Sequence, residues 1–324
     1  MRGRYGSVGL LLLCMSSSAG AQGADVQKIA HLLARATFGV RAQDVARVQA
    51  MGVNRWLGEQ LEPGRIGDAA VAAKLADFAT LHMSVPELVQ SFPAGQQKRD
   101  STMQMRQNPR RILLELVGAR IVRATASERQ LEEVMTEFWF NHFNVFWGKG
   151  PLRYLVADYE DRAIRPFVFG KFADMLQATA QHPAMLIYLD NAQSNARRGV
   201  NENYARELME LHTLGVDGGY TQKDVQEVAR AFTGWTVQRP AGFRFARQLH
   251  DMDEKVVLGI KLPAGRGIED GRDVLRMLAH NPATAQHIAR ELVEHFVSDQ
   301  PSPEFVAELA GVFLKTDGDL RAVT

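Results

Sequence analysis

Punctuation at helical spacing constrains this chain more than any other feature of it. Asp25 precedes Ile29, Leu32, Leu33 and Ala36, and Gly39 follows; that is a cap, an apolar stripe and a stop. Asp44 opens VARVQAMG, and Asn54 opens RWLGEQL ahead of Pro63-Gly64. Asn108-Pro109, Ser127 with Gln130, Thr221 with Asp224, Asn281-Pro282 and Ser302-Pro303 mark further starts, because a short polar side chain or a proline-fixed φ supplies what a first helical turn lacks. Residues 91–107 are polar and aperiodic, which predicts a surface loop. One stretch departs from the pattern. Between Phe243 and Leu262, FRFARQL and KVVLGIKL flank HDMDE in the manner of a β-hairpin. The expected fold class is therefore mainly α, a compact multi-helix domain over residues 22–324 with one small β-hairpin element near residues 243–262.

The 324 residues are ample for a buried core. Hydrophobic residues at 46% and charged residues at 23% exclude a disordered chain or a coiled-coil rod. Lys plus Arg number 38 against 37 acids, with no basic run, so nothing points to nucleic acid as a partner.

The first residues, MRGRYGSVGLLLLCMSSSAGAQ, place Arg2 and Arg4 before an apolar run and end in Ala19-Gly20-Ala21. This is the layout of a secretory signal peptide over residues 1–21, with an apolar run too short to span a bilayer. The expected mature chain is exported, periplasmic or extracellular, without a transmembrane anchor. Its formal charge falls from +1 to −1 when Arg2 and Arg4 are removed. The one cysteine, Cys14, lies inside the leader, leaving the mature chain no disulfide and no thiolate metal site. A lipoprotein reading would acylate Cys14, but bulky Leu13 precedes it. At the other end TDGDLRAVT opens a helix without closing it. The chain is expected to be truncated there, with bare apolar surface around Phe305, Leu309 and Phe313.

Candidate functional residues come from two segments. On a wheel turning about 100° per residue, Leu131, Val134, Met135, Phe138, His142 and Val145 form one stripe, which predicts a buried His142. Such a histidine is either a core residue with satisfied ring nitrogens or a ligand or base in an interhelical cleft. Phe138, Trp139, Phe140, Phe143, Phe146 and Trp147 surround it; left exposed, an aromatic face would suit sugar or peptide binding. In NENYARELMELHTLG, residues 201–215, Tyr204, Leu208, Leu211 and Gly215 share a stripe with Gly215 as the stop. Glu207 and His212 then flank it about 140° apart. Asn203, Glu207 and Glu210 share a face, but His212 follows Glu210 by two residues, so the Glu-x-x-His spacing of bundle metal sites is missing and no metal is expected. Pairing of the glutamates with Arg197, Arg198 or Arg206 is the plainer reading. His250-Asp251, at the expected hairpin tip, is a non-specific pair. The candidate site thus comprises His142, Glu207, His212, His250 and Asp251, with a His142–Glu207 contact across two helices at its centre, since either group buried alone costs several kcal/mol.

These residues also carry a likeness. HLLARATFG at 31–39, FWFNHF at 138–143, NENYARELMELHTLGVDGGYTQKDV at 201–225, ARAFTGW at 229–235, HDMDEKVVLG at 250–259 and TDGDLRAV at 316–323 resemble the bacterial domain of unknown function 1800 family, DUF1800. The resemblance implies a large, mostly helical, exported protein that continues past residue 324. It implies no reaction and no cofactor, and it points to a sulfatase-like exported protein from a neighbouring gene as a partner. Asp253 stands where the family usually has glycine. Two functions are expected from these readings: a binding or scaffold protein acting with an extracytoplasmic enzyme or polysaccharide, or an uncharacterised hydrolase-like enzyme with an interhelical His/Glu site.

Overall fold

The computed structural model describes residues 14–93, 108–238 and 241–324. Most of the expected leader and of the expected loop at 91–107 lies outside these. The chain is mainly helical. An N-terminal group comprises α1 (Cys14–Ala36), α2 (Ala42–Met51), α3 (Val53–Gln60), α4 (Ala69–Leu75) and α5 (Val85–Ser91). Two long helices follow, α6 (Arg110–Ala126) and α7 (Gln130–His142). The central part holds α8 (Val156–Tyr159), α9 (Phe172–Gln181), α10 (Pro183–Tyr188), α11 (Asn203–Glu210) and α12 (Gln222–Ala231). After four short strands come α13 (Ile268–Ala279), α14 (Pro282–Phe296), α15 (Pro303–Lys315) and α16 (Leu320–Val323).

Several of the predicted caps form. Asp224 accepts the Thr221 N–H at 2.9 Å while Thr221 Oγ1 accepts the Asp224 N–H at 3.3 Å, a reciprocal capping box. Asn281 accepts the Ala283 N–H and Ser302 the Phe305 N–H, at 2.8 and 3.2 Å. Gln130 does something else. Its amide donates to the Ala124 and Ser127 carbonyls and accepts the Phe38 N–H, which ties the chain after α1 to the α6–α7 corner. Asp25 does not open α1, whose backbone is helical from Cys14.

The β structure falls in the expected stretch and reaches eight residues upstream of it, as two hairpins rather than one. β1 (Trp235–Gln238) pairs antiparallel with β2 (Gly242–Phe245), and β3 (Lys255–Val257) with β4 (Ile260–Leu262). FRF therefore pairs backwards with WTVQ, and HDMDE links the two hairpins instead of forming a tip. Gly234 makes this possible: at φ +77° it accepts the Ala246 N–H at 2.8 Å, and a Cβ there would lie 2.7 Å from the Ala246 oxygen. The second hairpin turns through Leu258 and Gly259, both at positive φ, as a two-residue turn requires.

One hydrophobic core runs from Ile29 to Val323, with a small satellite of Val71, Leu75 and Ala119. Its aromatic centre lies on α7, where Trp139 stacks on Phe143 and packs on Phe172. The Tyr159 hydroxyl donates to the Phe143 carbonyl at 2.8 Å and so pins the turn that ends α7. Of the three residues expected to be bare, Phe305 is exposed, whereas Phe313 is buried against Phe172.

Candidate functional site

Two helix ends build the cleft that holds most of the sequence candidates. The Glu210 end of α11 lies five residues before the expected stop at Gly215. The Leu211 and His212 N–H groups both reach the Glu207 carbonyl, and the Thr213 hydroxyl donates to the Leu208 carbonyl at 2.6 Å, so the last helical carbonyls are satisfied early. His212 therefore leaves the helical wheel on which it stood 140° from Glu207. It turns inward beside the C-terminus of α7, its ring 6.0 Å from that of His142 and 5.1 Å from that of Phe143. Gly215, at φ +82°, serves close approach instead of capping, since a Cβ there would lie 3.2 Å from His287 Nδ1.

His142 is buried as its stripe predicts, with its side chain 2% exposed. Its carboxylate partner is Glu291 of α14, 2.6 Å from Nδ1, not Glu207. Nε2 lies 3.2 Å from the His212 carbonyl oxygen. Both partners are acceptors, and each ring nitrogen faces one of them. His287 completes the group, with Nε2 3.1 Å from the Leu211 carbonyl and 3.5 Å from Glu291. Burial pushes the Glu291 carboxyl up, but the hydrogen bond and charge of His142, with the charge of His287, leave it below its ordinary value.

The opposite wall is Glu207 with the amides of Asn141, Asn144 and Asn203, and together with His142 and His212 they line a cavity of about 350 Å³. Glu207 and His142 share this cavity without forming the expected pair. Burial, then the neighbouring Glu210 charge, raise the Glu207 carboxyl, and Arg206 offsets part of that rise. Arg206 pairs with Glu210, as the charge pattern suggested, and with Glu202, while Glu207 pairs with none of the expected arginines. Glu207 has no side-chain partner among the described residues, and neither has the His212 ring. Burial, reinforced by the charges of His142 and His287, takes His212 from 6.5 down to about 3, so its ring is neutral across ordinary pH.

The profile of the family described as "Protein of unknown function (DUF1800)" matches residues 31–324. The chain belongs to the DUF1800 family. No curated protein and no solved structure matches it.

The remaining two candidates of this DUF1800 member sit elsewhere. His250 is sealed, with Nδ1 2.7 Å from the Thr233 carbonyl and Nε2 3.1 Å from Asp270. Lys255, also sealed, donates to Asp270 at 2.9 Å and to the Asp251 and Asp253 carbonyls at 2.6 and 2.8 Å. Asp251 takes both ends of the Arg230 guanidinium at 2.8 and 3.1 Å. Asp253 contributes its carbonyl to Lys255, and its N–H meets Asp251. His250 and Asp251 thus join a lock between the hairpins and α12–α13, with no shared partner at the cleft. Sequence reasoning missed Glu291, His287, Asp270 and Lys255. His287 and Glu291 stand four apart on α14, a same-face spacing that was visible; Asp270 and Lys255 gave no signal beyond their residue types.

Among the described residues no three His, Cys, Asp or Glu side chains could hold a metal ion. A larger cavity of about 780 Å³ between α3 and the start of α7 is lined by Arg47, Arg55 and Arg65, and each guanidinium pairs with a glutamate: Glu128, Glu59 and Glu62 respectively. The cleft at Glu207 differs in keeping polar groups unpaired.

Proposed function

We propose that the protein is exported and acts outside the cytoplasm as a binding protein that holds a polar ligand in the cleft between α7 and α11. The observation that carries this reading is the coincidence in one cavity of a buried neutral His212 and a half-buried Glu207, both without a partner among the described residues, since such groups cost stability unless something meets them. Export draws on the leader-like first 21 residues and is compatible with the lack, among the described residues, of a helix long and apolar enough to cross a membrane. N-terminal sequencing of the exported form is expected to begin near Gln22; an acylated Cys14 as first residue would overturn the unlipidated reading.

Binding is favoured over hydrolysis because Glu207 is the one carboxylate among the described residues that line the cleft, and glycoside hydrolysis uses two. No Ser, Thr, Cys or Lys lines it to serve as a nucleophile. The raised Glu207 carboxyl is the one feature that favours the hydrolase alternative, because it suits a proton donor. Thermal shift of the full chain against a panel of sugars, peptides, amino acids and organic acids tests the binding reading, because a ligand of the folded state raises Tm with concentration. At least one class should stabilise wild type and fail to stabilise Glu207→Gln. A flat response to every class, or a response that Glu207→Gln leaves intact, would overturn it.

A further inference from the structure

Three amides, one carboxyl and one neutral imidazole give the cleft its chemistry. Asn141 lies in the last turn of α7, Asn144 just beyond it, and Asn203 is the first residue of α11. The Asn141 and Asn144 amides have no partner among the described residues, so each offers both donors and an acceptor. No Arg or Lys lines the cavity among the described residues, and His142 is already taken by Glu291, so no free positive charge there balances an anionic ligand. Glu207 alone is a weak basis for holding a cation, because hard cations take six or more oxygen ligands.

The loop that follows Asn144 would form a rim to the cleft. The chain from Asn144 runs directly into Phe146 and Trp147, which are 54% and 39% exposed with their rings 5.9 Å apart. The other three tryptophans, Trp56, Trp139 and Trp235, are buried. This loop is built to a definite shape. The Phe146 ring lies over Gly148 so closely that a Cβ there would stand 2.6 Å from it. Lys149 then anchors the loop to the cleft wall, donating to the Tyr188 carbonyl at 2.6 Å and to Asp190 at 2.8 Å. Tyr188 itself lines the cavity, and its ring has the Lys149 ammonium 5.8 Å away.

We infer that the cleft and its aromatic rim bind a neutral oligosaccharide, with hydroxyls meeting Asn141, Asn144, Asn203, Glu207 and His212 while a sugar ring lies against Trp147. The inference rests on the binding reading above and names its ligand class. Sugar hydroxyls both donate and accept, as the amides do, and they donate to a carboxylate; the C–H face of a pyranose is apolar and fits an indole. The cavity volume falls within the range of small-ligand sites, about 300–1,000 Å³. Its place beside an exposed aromatic loop suits a chain that continues out of the cavity better than a single sugar.

Acrylamide quenching of tryptophan fluorescence isolates Trp147, because the other three indoles are shielded. The full chain is titrated with neutral gluco-, manno- and chito-oligosaccharides, with uronic-acid oligosaccharides and with unstructured peptides, and affinities are measured in parallel by calorimetry. Neutral oligosaccharides should bind saturably and protect Trp147 from quenching. Trp147→Ala should weaken that binding at least about tenfold with Tm unchanged, as should Asn144→Ala, while Arg47→Ala on the remote α2 leaves it intact. Binding of charged saccharides or peptides alone would overturn the oligosaccharide assignment and leave the binding reading standing. So would neutral saccharide binding that ignores both Trp147→Ala and Asn144→Ala. Absence of binding by every titrated class would overturn the oligosaccharide assignment, and a flat thermal-shift response to amino acids and organic acids as well would remove the binding reading with it.

Discussion

His142 and His250 make the same first contact, an imidazole nitrogen beside a carboxylate out of solvent, and the two regions around them use it for opposite ends. At His250 all but one of the strong groups are consumed: Lys255 has three acceptors, Asp270 Oδ2 takes both Lys255 and His250, and Asp251 takes Arg230, while Asp270 Oδ1 alone is sealed without a partner. At His142 the ring is satisfied by Glu291 and the His212 carbonyl, but the side chains that share its cavity, His212 and Glu207, have no partner among the described residues. A histidine–carboxylate pair is therefore a poor marker of a functional site by itself. Unused hydrogen-bonding capacity that opens into a cavity beside the pair, as at Glu207 and His212, is the better one.

The largest test of this contrast removes a partner from the lock. Lys255→Met should cost about 3–5 kcal/mol, because Asp270 keeps a buried charge with one partner fewer, and the denaturant midpoint should fall accordingly while any remaining folded protein keeps its ligand affinity. A loss of affinity without loss of stability would reverse the roles assigned to the two regions.

The next test is pH. His212 is held at about 3 in the folded chain against 6.5 in an unfolded one, so the folded state binds fewer protons. Its contribution to stability is complete above about pH 6.5 and is lost progressively as pH falls toward 3. Tm should decline between pH 6.5 and 5, above the range where Glu291 and Asp270 titrate, and His212→Phe should flatten that decline. An unchanged slope in the variant would place the buried titrating group elsewhere.

His142→Phe comes third. It strips Glu291 of its hydrogen bond and leaves the His212 carbonyl without a donor, a loss of about 1–3 kcal/mol. Because both ring nitrogens are already engaged, ligand affinity should stay within about threefold, which calorimetry on the variant would check. Smallest is Glu207→Gln. Burial and Glu210 disfavour the ionised carboxyl, so above about pH 4.5 the amide should be slightly more stable than wild type, by well under ~1 kcal/mol for a site this open, even as it abolishes binding. A marked destabilisation would mean that Glu207 has a structural partner after all.

Much of the fold was legible because caps are local. Thr221 with Asp224, Asn281 and Ser302 need only their own first turn to act, and each does. The burial of His142 was legible too, since a stripe is a property of one helix. What failed was whatever depended on partners distant in sequence. Gln130 found Phe38 instead of a capping box, FRF paired with WTVQ across Gly234, and α11 stopped early because Thr213 satisfied the Leu208 carbonyl. The identity of the His142 partner was illegible for the same reason. A stripe says that a histidine is buried and says nothing about which helix packs over it, so Glu291, 149 residues away, could not be distinguished from Glu207. The aromatic run at 138–147 divided where α7 ended: Trp139, Phe140 and Phe143 went inward and Phe146 and Trp147 stayed exposed.

The contact between residues 170–172 and 318–320 has a consequence in time. Phe172 N–H donates to the Gly318 carbonyl and Leu320 N–H to the Gly170 carbonyl, each at 2.8 Å, across about 150 intervening positions. Phe172 is also the residue on which Trp139, Phe143 and Phe313 converge. The aromatic centre therefore lacks Phe313 and its backbone tie until residues 313–320 have been synthesised, long after α7 is available. Loop closure over such separations is slow, so the last residues to be made complete the centre of the core.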